Sequence, residues 1–424
     1  MNLLDLPPEL VAKIWSLIPQ RNKAAMRPVC RALLPLSRRV LFRQVTLRSV
    51  AHLTRFHRVL FPSSKRQAQA LLKSLKNDRP LAAHVQTLLL PPFDYFSYDE
   101  EEAEGLPECK ALWQILSGTI ELVELTMSGS AVTKQFLAGA KYGFLPQLRT
   151  LRIADLDARH MLLYDMNRFE RLRYLPRLEI LELSIAQQWE DDGGPSTALL
   201  RLPSITNVKT LILSAGVSIS TSAAAAFVSH FTALTTLTLI LTDLAELSLF
   251  LEAAPLTLTS LSISFDVDLQ WEEEDERVNV EQQVSRFHNL TSLNLGERTF
   301  SADPFGALSE SLASLRSLSL ECGFHPNLDA VQLLDHLRVR HGSAPLQELN
   351  IDAFYADAGL LPSAHPERDD VAQGTFDIPG HWDLPTWTNR FSFDHAKEIV
   401  KTTNELGMKL DGSLVETIVV WWKS

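Results

Sequence analysis

One pattern constrains this chain more than any other. A six-residue motif, apolar-x-x-apolar-x-apolar with leucine at most apolar places, recurs ten times between Val85 and Ile351. The first five copies are Val85-Leu88-Leu90, Leu122-Leu125-Met127, Leu148-Leu151-Ile153, Leu178-Leu181-Leu183 and Val208-Leu211-Leu213. The next five are Leu234-Leu237-Leu239, Leu258-Leu261-Ile263, Leu290-Leu293-Leu295, Leu315-Leu318-Leu320 and Leu346-Leu349-Ile351. Successive central positions lie 37, 26, 30, 30, 26, 24, 32, 25 and 31 residues apart, a mean of 29. Near-regular self-similarity of this kind means stacked copies of one supersecondary unit.

Within each copy the fourth and sixth residues share one face of an extended segment, because side chains alternate along a strand. Helical spacing follows in places, as in Ala223 to Phe231 and Leu328 to Leu337. One strand and one helix cannot cover their own apolar face. Stacking them buries a continuous core and produces a parallel sheet. A doubly wound α/β sheet is the competing reading, but it does not require the same apolar-x-x-apolar start to nearly every strand.

In the stacked arrangement the residues flanking each fourth position are predicted to line the open, concave side. Arg152, Glu182, Thr236, Thr238, Asn294 and Glu348 are candidate substrate-binding residues on that side. From Thr236 to Ser319 this row is rich in hydroxyls and nearly uncharged. Plain solvated strand accounts for it equally well. Large anchors would have to come from loops, where Trp189, Trp271, Trp382 and Trp387 are the candidates. Three long spacings contain an aromatic followed by acids: Tyr98 before Glu100 to Glu104, Trp189 before Glu190 to Asp192, and Trp271 before Glu272 to Glu276. These read as surface loops, either simply solvated or reading a basic partner.

The N-terminal part is different. Residues 1–80 hold 16 Lys/Arg and 3 Asp/Glu, a balance of +13, while the other 344 residues hold 24 and 48, a balance of −24. Such a split argues for two parts with different surfaces. A basic part invites a nucleic-acid reading, but the cations are interleaved with a helical apolar pattern and few aromatics. Pro7 and Pro8 precede Leu10, Val11, Ile14, Trp15, Leu17 and Ile18, and Pro19 ends the run. A second helical stretch starts near Asn22, and a third follows Pro28 with Val29, Cys30, Leu33 and Leu34. The first helix is apolar on more than one face, so most of its circumference must be covered. About 45 residues cannot supply that cover, which leaves the rest of the chain or a partner.

At the other end, residues 355–393 break the repeat. Asp394 to Leu406 reads as helix and Leu414 to Trp422 as strand, a unit that would cap the stack.

The search for catalytic chemistry finds none of the common signatures. There is no GxxxxGK[ST], HExxH or GxSxG. His336 and His341 are five apart, as are His52 and His57, which is not the one-turn spacing of a helical zinc pair. Three scattered cysteines, Cys30, Cys109 and Cys322, exclude a disulfide scaffold. No apolar run reaches the roughly 18 residues of a membrane span. The first ten residues carry acids and no basic n-region. The expectation is a soluble intracellular protein, cytoplasmic and/or nuclear, that is not an enzyme, needs no cofactor or metal, and engages neither nucleic acid nor membrane.

Leu3-Leu4-Asp5-Leu6-Pro7-Pro8-Glu9-Leu10, then Ile14, Leu17-Ile18-Pro19 and Val29-Cys30-Arg31, together resemble the F-box motif. With the repeats behind it, the chain resembles the F-box/leucine-rich-repeat class, in a style similar to fungal members; the mean spacing sits at the upper end for such repeats. The resemblance implies an α/β chain with a three-helix F-box at 1–48 and a helical linker or N-terminal cap at 49–80. A solenoid of about ten irregular leucine-rich repeats follows at 81–355, with its parallel sheet concave and its helices convex, and a C-terminal loop and capping unit occupies 356–424. It also implies a substrate-recognition subunit of an SCF (cullin–RING) ubiquitin ligase. Leu4, Leu6, Pro7, Leu10, Ile14, Leu17, Ile18, Val29, Cys30 and Leu33 would form the F-box core and its contact with a Skp-type adaptor and cullin complex, and the repeats would recruit a protein substrate. A non-catalytic interaction scaffold acting outside a ligase is the alternative. The repeats lack the asparagine ladder usual in such folds, with Leu156, Ala186, Gly216, Thr242, Asp266 and Arg298 in its place.

Overall fold

In a computed structural model of the chain, the structure describes residues 13–14, 17, 43–46, 82–89, 116–128, 133, 136–137, 139–140, 143–157, 169–186, 204–214, 228–241, 244–265, 283–296, 312–321, 330–341, 345–352 and 393–412. Two compact units divide the chain: residues 1–212 with 230–232, and residues 213–229 with 233–424.

The first unit contains β1 (Gln44–Thr46), β2 (Thr87–Leu89), β3 (Glu124–Ser128), β4 (Thr150–Asp157), β5 (Ile180–Ala186) and the start of β6 (Thr210–Ser214). Strands β1 to β5 pair parallel in chain order. Lys209 and Thr210 donate their N–H groups to Glu179 O at 2.9 Å each. The second unit holds β7 (Thr236–Leu241), β8 (Ser260–Phe265), β9 (Ser292–Leu295), β10 (Ser317–Glu321), β11 (Glu348–Asp352) and β12 (Lys409–Asp411). These too are parallel and in chain order. Its helices are α1 (Leu244–Ala253), α2 (Ala330–His341) and α3 (Phe393–Glu405).

The repeat explains the core directly. Every described first, fourth and sixth position of the ten motifs is at most 4% exposed. Register aligns the fourth positions across neighbouring strands: Leu88 with Leu125, Leu125 with Leu151, and Leu151 with Leu181 in the first unit. The second unit aligns Leu237, Leu261, Leu293, Leu318, Leu349 and Leu410. A one-residue slip would put this whole layer into water.

A further buried position lies three residues before eight of the ten motifs, which the six-residue pattern does not include. Ala82, Thr119, Leu145, Leu175, Ile205, Phe231, Phe287 and Leu312 occupy it, and all are buried. In most repeats the N–H of the first motif residue bonds back to the carbonyl of this position, as Leu148 N–H does to Leu145 O at 3.1 Å and Leu290 N–H to Phe287 O at 2.9 Å. Most of these strands are therefore entered through a closed turn. The backbone then repeats one connection: two consecutive N–H groups of one repeat share a carbonyl of the previous one. Thr259 and Ser260 bond to Thr235 O, and Thr291 and Ser292 bond to Thr259 O.

Side chains reinforce the entries to the strands. Thr259 Oγ1 donates to Thr235 O at 3.1 Å, Thr291 Oγ1 to Thr259 O at 3.0 Å, and Asn207 Nδ2 to Leu175 O at 2.7 Å. Arg286 donates to Glu252 O and Ala254 O at 3.0 and 3.1 Å, satisfying carbonyls left open where α1 ends before Pro255.

At the C-terminal end, α3 covers the residues read as helix except Leu406, and it ends in a Schellman turn. Gly407, at φ +66°, donates to Asn404 O, and Met408 donates to Thr403 O. The strand that follows on β11 is β12. The predicted strand Leu414 to Trp422 lies outside the described residues. At the other end β1 adds a strand that the ten-copy count omits.

Candidate protein-interaction face

Strand alternation places the residues flanking each fourth position opposite the leucine layer. All of the described ones in β3 to β11 are half-buried: the leucines hold their backbone, and solvent reaches their ends. Arg152 and Glu182 lie on this face of the first unit. Thr236, Thr238, Asn294 and Glu348 lie on that of the second.

In the first unit the face is charged. Leu89, Thr126, Arg152 and Glu182 form one register row across β2 to β5. Arg152 reaches both ways along the sheet, with Nε on Glu182 Oε2 at 2.8 Å and Nη1 on Glu124 Oε1. The three side chains are 43%, 38% and 30% exposed, so the network is wet and screened. Glu124 is absent from the sequence-predicted residues, although it flanks Leu125 as Arg152 flanks Leu151.

In the second unit the same positions across β7 to β10 are Thr236, Thr238, Ser260, Ser262, Ser292, Asn294, Ser317 and Ser319. Asn294 Nδ2 donates to Ser262 Oγ at 2.9 Å, and Asn350 Nδ2 donates to Ser319 Oγ at 3.0 Å. Polar side chains thus join strands without charge. Charge returns at β11 and β12, where Lys409 Nζ meets Glu348 Oε1 at 2.5 Å and Asp411 Oδ2 at 2.9 Å. The hydrogen bond to Glu348, then that to Asp411, hold the Lys409 ammonium above its ordinary range. Lys409 and the Gly412 N–H hold the Asp411 carboxyl below its own. Sequence reading missed this pair because the repeat carrying it is degenerate: Leu410 keeps the fourth position, while glycines stand at 407 and 412 where leucines stand elsewhere.

Trp189, Trp271, Trp382 and Trp387 lie outside the described residues. So do Leu4, Leu6, Pro7, Leu10, Ile18, Val29, Cys30 and Leu33. Ile14 and Leu17 are described: both are helical, and they are 38% and 78% exposed. Among the described residues no group of three or more His, Cys, Asp or Glu is placed to hold a metal ion, and no helix is long and apolar enough to cross a membrane.

Parallel strands in register, a buried leucine-rich triplet in most of them, and a closed turn before most of those define a leucine-rich-repeat, solenoid-like α/β fold. No family model matches the chain, and no curated protein is significantly similar to it. Among solved structures, the leucine-rich repeat-containing protein LegL7 from Legionella pneumophila is similar over 66% of this chain and 77% of its own, at 17% identity and a TM-score of 0.37.

Proposed function

We propose that this chain is the substrate-recognition subunit of an SCF (cullin–RING) ubiquitin ligase, its N-terminal helices docking on a Skp-type adaptor and its repeats recruiting a protein. The observation that carries this reading is the exposure of Leu17 and Ile14 on helical residues. Full burial of a leucine or isoleucine side chain is worth about 1.5–3 kcal/mol. Two such side chains three positions apart on a helix share a face, and cover of their exposed parts, chiefly that of Leu17, by a partner would recover a share of that energy. They fall in the segment whose LPPEL start and Val29-Cys30-Arg31 resemble an F-box. The open strand face supplies a second, separate surface for the recruited protein. Ubiquitin transfer in this arrangement belongs to other subunits.

The test is a pull-down of the full chain on a purified Skp-type adaptor, beside a Leu6→Ala/Pro7→Ala variant, with cullin retention as a second readout. Retention of adaptor and cullin by the wild type and loss of both in the variant is expected. Adaptor without cullin would favour a scaffold outside the ligase. No adaptor binding by the folded wild type would remove the proposal.

A further inference from the structure

We infer that the strand face of the first unit recognises a basic segment of its protein partner, seating a lysine or arginine against the Glu124–Arg152–Glu182 cluster. This rests on the reading of the repeats as a protein-recruiting surface and specifies what they recruit. Three observations support it. First, the charges do not cancel: Arg152 neutralises one of the two carboxylates it bridges, leaving the cluster at −1. Second, strand stacking does not require the cluster. In β7 to β10 the same flanking positions carry only Thr, Ser and Asn, and the strands keep the same parallel register.

Third, the surroundings suit a long cationic side chain. Leu89 is half-buried in the row that contains Arg152 and Glu182, and Ile180 is half-buried beside Thr150 on the same face. Lysine and arginine lay their methylene stems along such apolar side chains and keep the charged head in a polar setting. Arg152, tied on both sides, holds the two glutamates in place before the partner arrives. The net negative charge of the cluster disfavours an acidic partner.

The experiment uses the full chain and fluorescent peptides of repeating Lys-Val-Ser triplets, with matched peptides carrying Glu or Gln in place of Lys. Anisotropy is read for the wild type, Glu124→Gln/Glu182→Gln, Arg152→Gln and, as a control on α3 of the second unit, Glu398→Gln. The Lys peptide is expected to bind, with the Glu and Gln peptides about tenfold weaker or more. The double glutamate variant should weaken the Lys peptide about tenfold. Arg152→Gln should strengthen it, because both carboxylates are then uncompensated. Glu398→Gln should leave it unchanged. A salt titration of the wild type, which needs no variant to fold, should weaken it.

Any of four results would overturn the inference: no Lys-peptide binding, equal binding of all three peptides, an unaffected double glutamate variant, or preferred Glu-peptide binding that is lost in Arg152→Gln. Adaptor binding by Glu124→Gln/Glu182→Gln should match the wild type. Failure of the adaptor to bind any form would therefore strike the ligase reading and leave the peptide result standing.

Discussion

Across β3 to β5 the positions flanking the central leucines carry two carboxylates and a guanidinium; across β7 to β10 they carry hydroxyls and a single amide. Beneath both, the leucine layer is the same, with in-register residues almost fully buried. Fold and surface chemistry are thereby separated onto the two faces of one strand. Inward positions are restricted to leucine-sized apolar groups, because a parallel stack exposes no alternative surface for them. Outward positions need only suit a half-buried pleat, so their chemistry is free to differ between units.

The comparison breaks if the leucine layers are not equivalent. Leu151→Ala in the first unit and Leu261→Ala in the second should each cost about 2–5 kcal/mol, because each side chain is at most 1% exposed and truncation leaves a cavity. Urea denaturation monitored by circular dichroism would check this, and a loss confined to one unit would sink the equivalence. Next in size is Gly412→Ala. Gly412 sits at φ +94°, and an added Cβ would overlap Asn350 Oδ1 and the Ile351 carbonyl. The strain should be about 1–3 kcal/mol and local. Hydrogen exchange should quicken at β12 and stay unchanged at β3 to β5.

Smaller effects sharpen the outward difference. A double-mutant cycle on Arg152 and Glu182 should give a coupling of about 0.2–1 kcal/mol, as for other exposed ion pairs. The same cycle on Asn294 and Ser262 should hold its value in high salt, while the ionic one should shrink. The smallest effect is titration at β12. Asp411 is held below the ordinary carboxylate range by Lys409 and the Gly412 N–H. Its contribution is therefore present above the unfolded-state value of about 3.9 and is lost as pH falls through the lower folded value. Carboxyl NMR should show Asp411 titrating below the ordinary range, and Lys409→Gln should return it upward.

Much of this fold is legible in the residues themselves. Leucine spacing locates ten strands, because one inward side chain every second residue is a strong signal when it recurs. The two outer strands escape for different reasons. Phe42, Val45 and Leu47 fit the spacing of the motif, but they follow a helical run and read as its end. Leu410 stands alone between glycines, and its strand is visible only through pairing with β11. The buried position before eight of the motifs escapes because Ala, Thr, Leu, Ile and Phe all fill it. Its role is set by a turn, not by side-chain type. On the open face, Arg152 and Glu182 are readable as neighbours once the repeat is aligned. Glu124, Lys409 and Asp411 become partners only when strands one repeat or more away are brought into register.

Leu17 offers the most direct test of the proposed role. Val339, on α2, is comparably exposed at 70% against 78%, and serves as the matched control. Calorimetric titration of the full chain with a purified Skp-type adaptor should show Leu17→Asp weakening binding by about tenfold or more, roughly 1.4 kcal/mol, while Val339→Asp leaves it unchanged. Equal affinities for the wild type and Leu17→Asp, or equal losses in both variants, would contradict adaptor docking through the first helix.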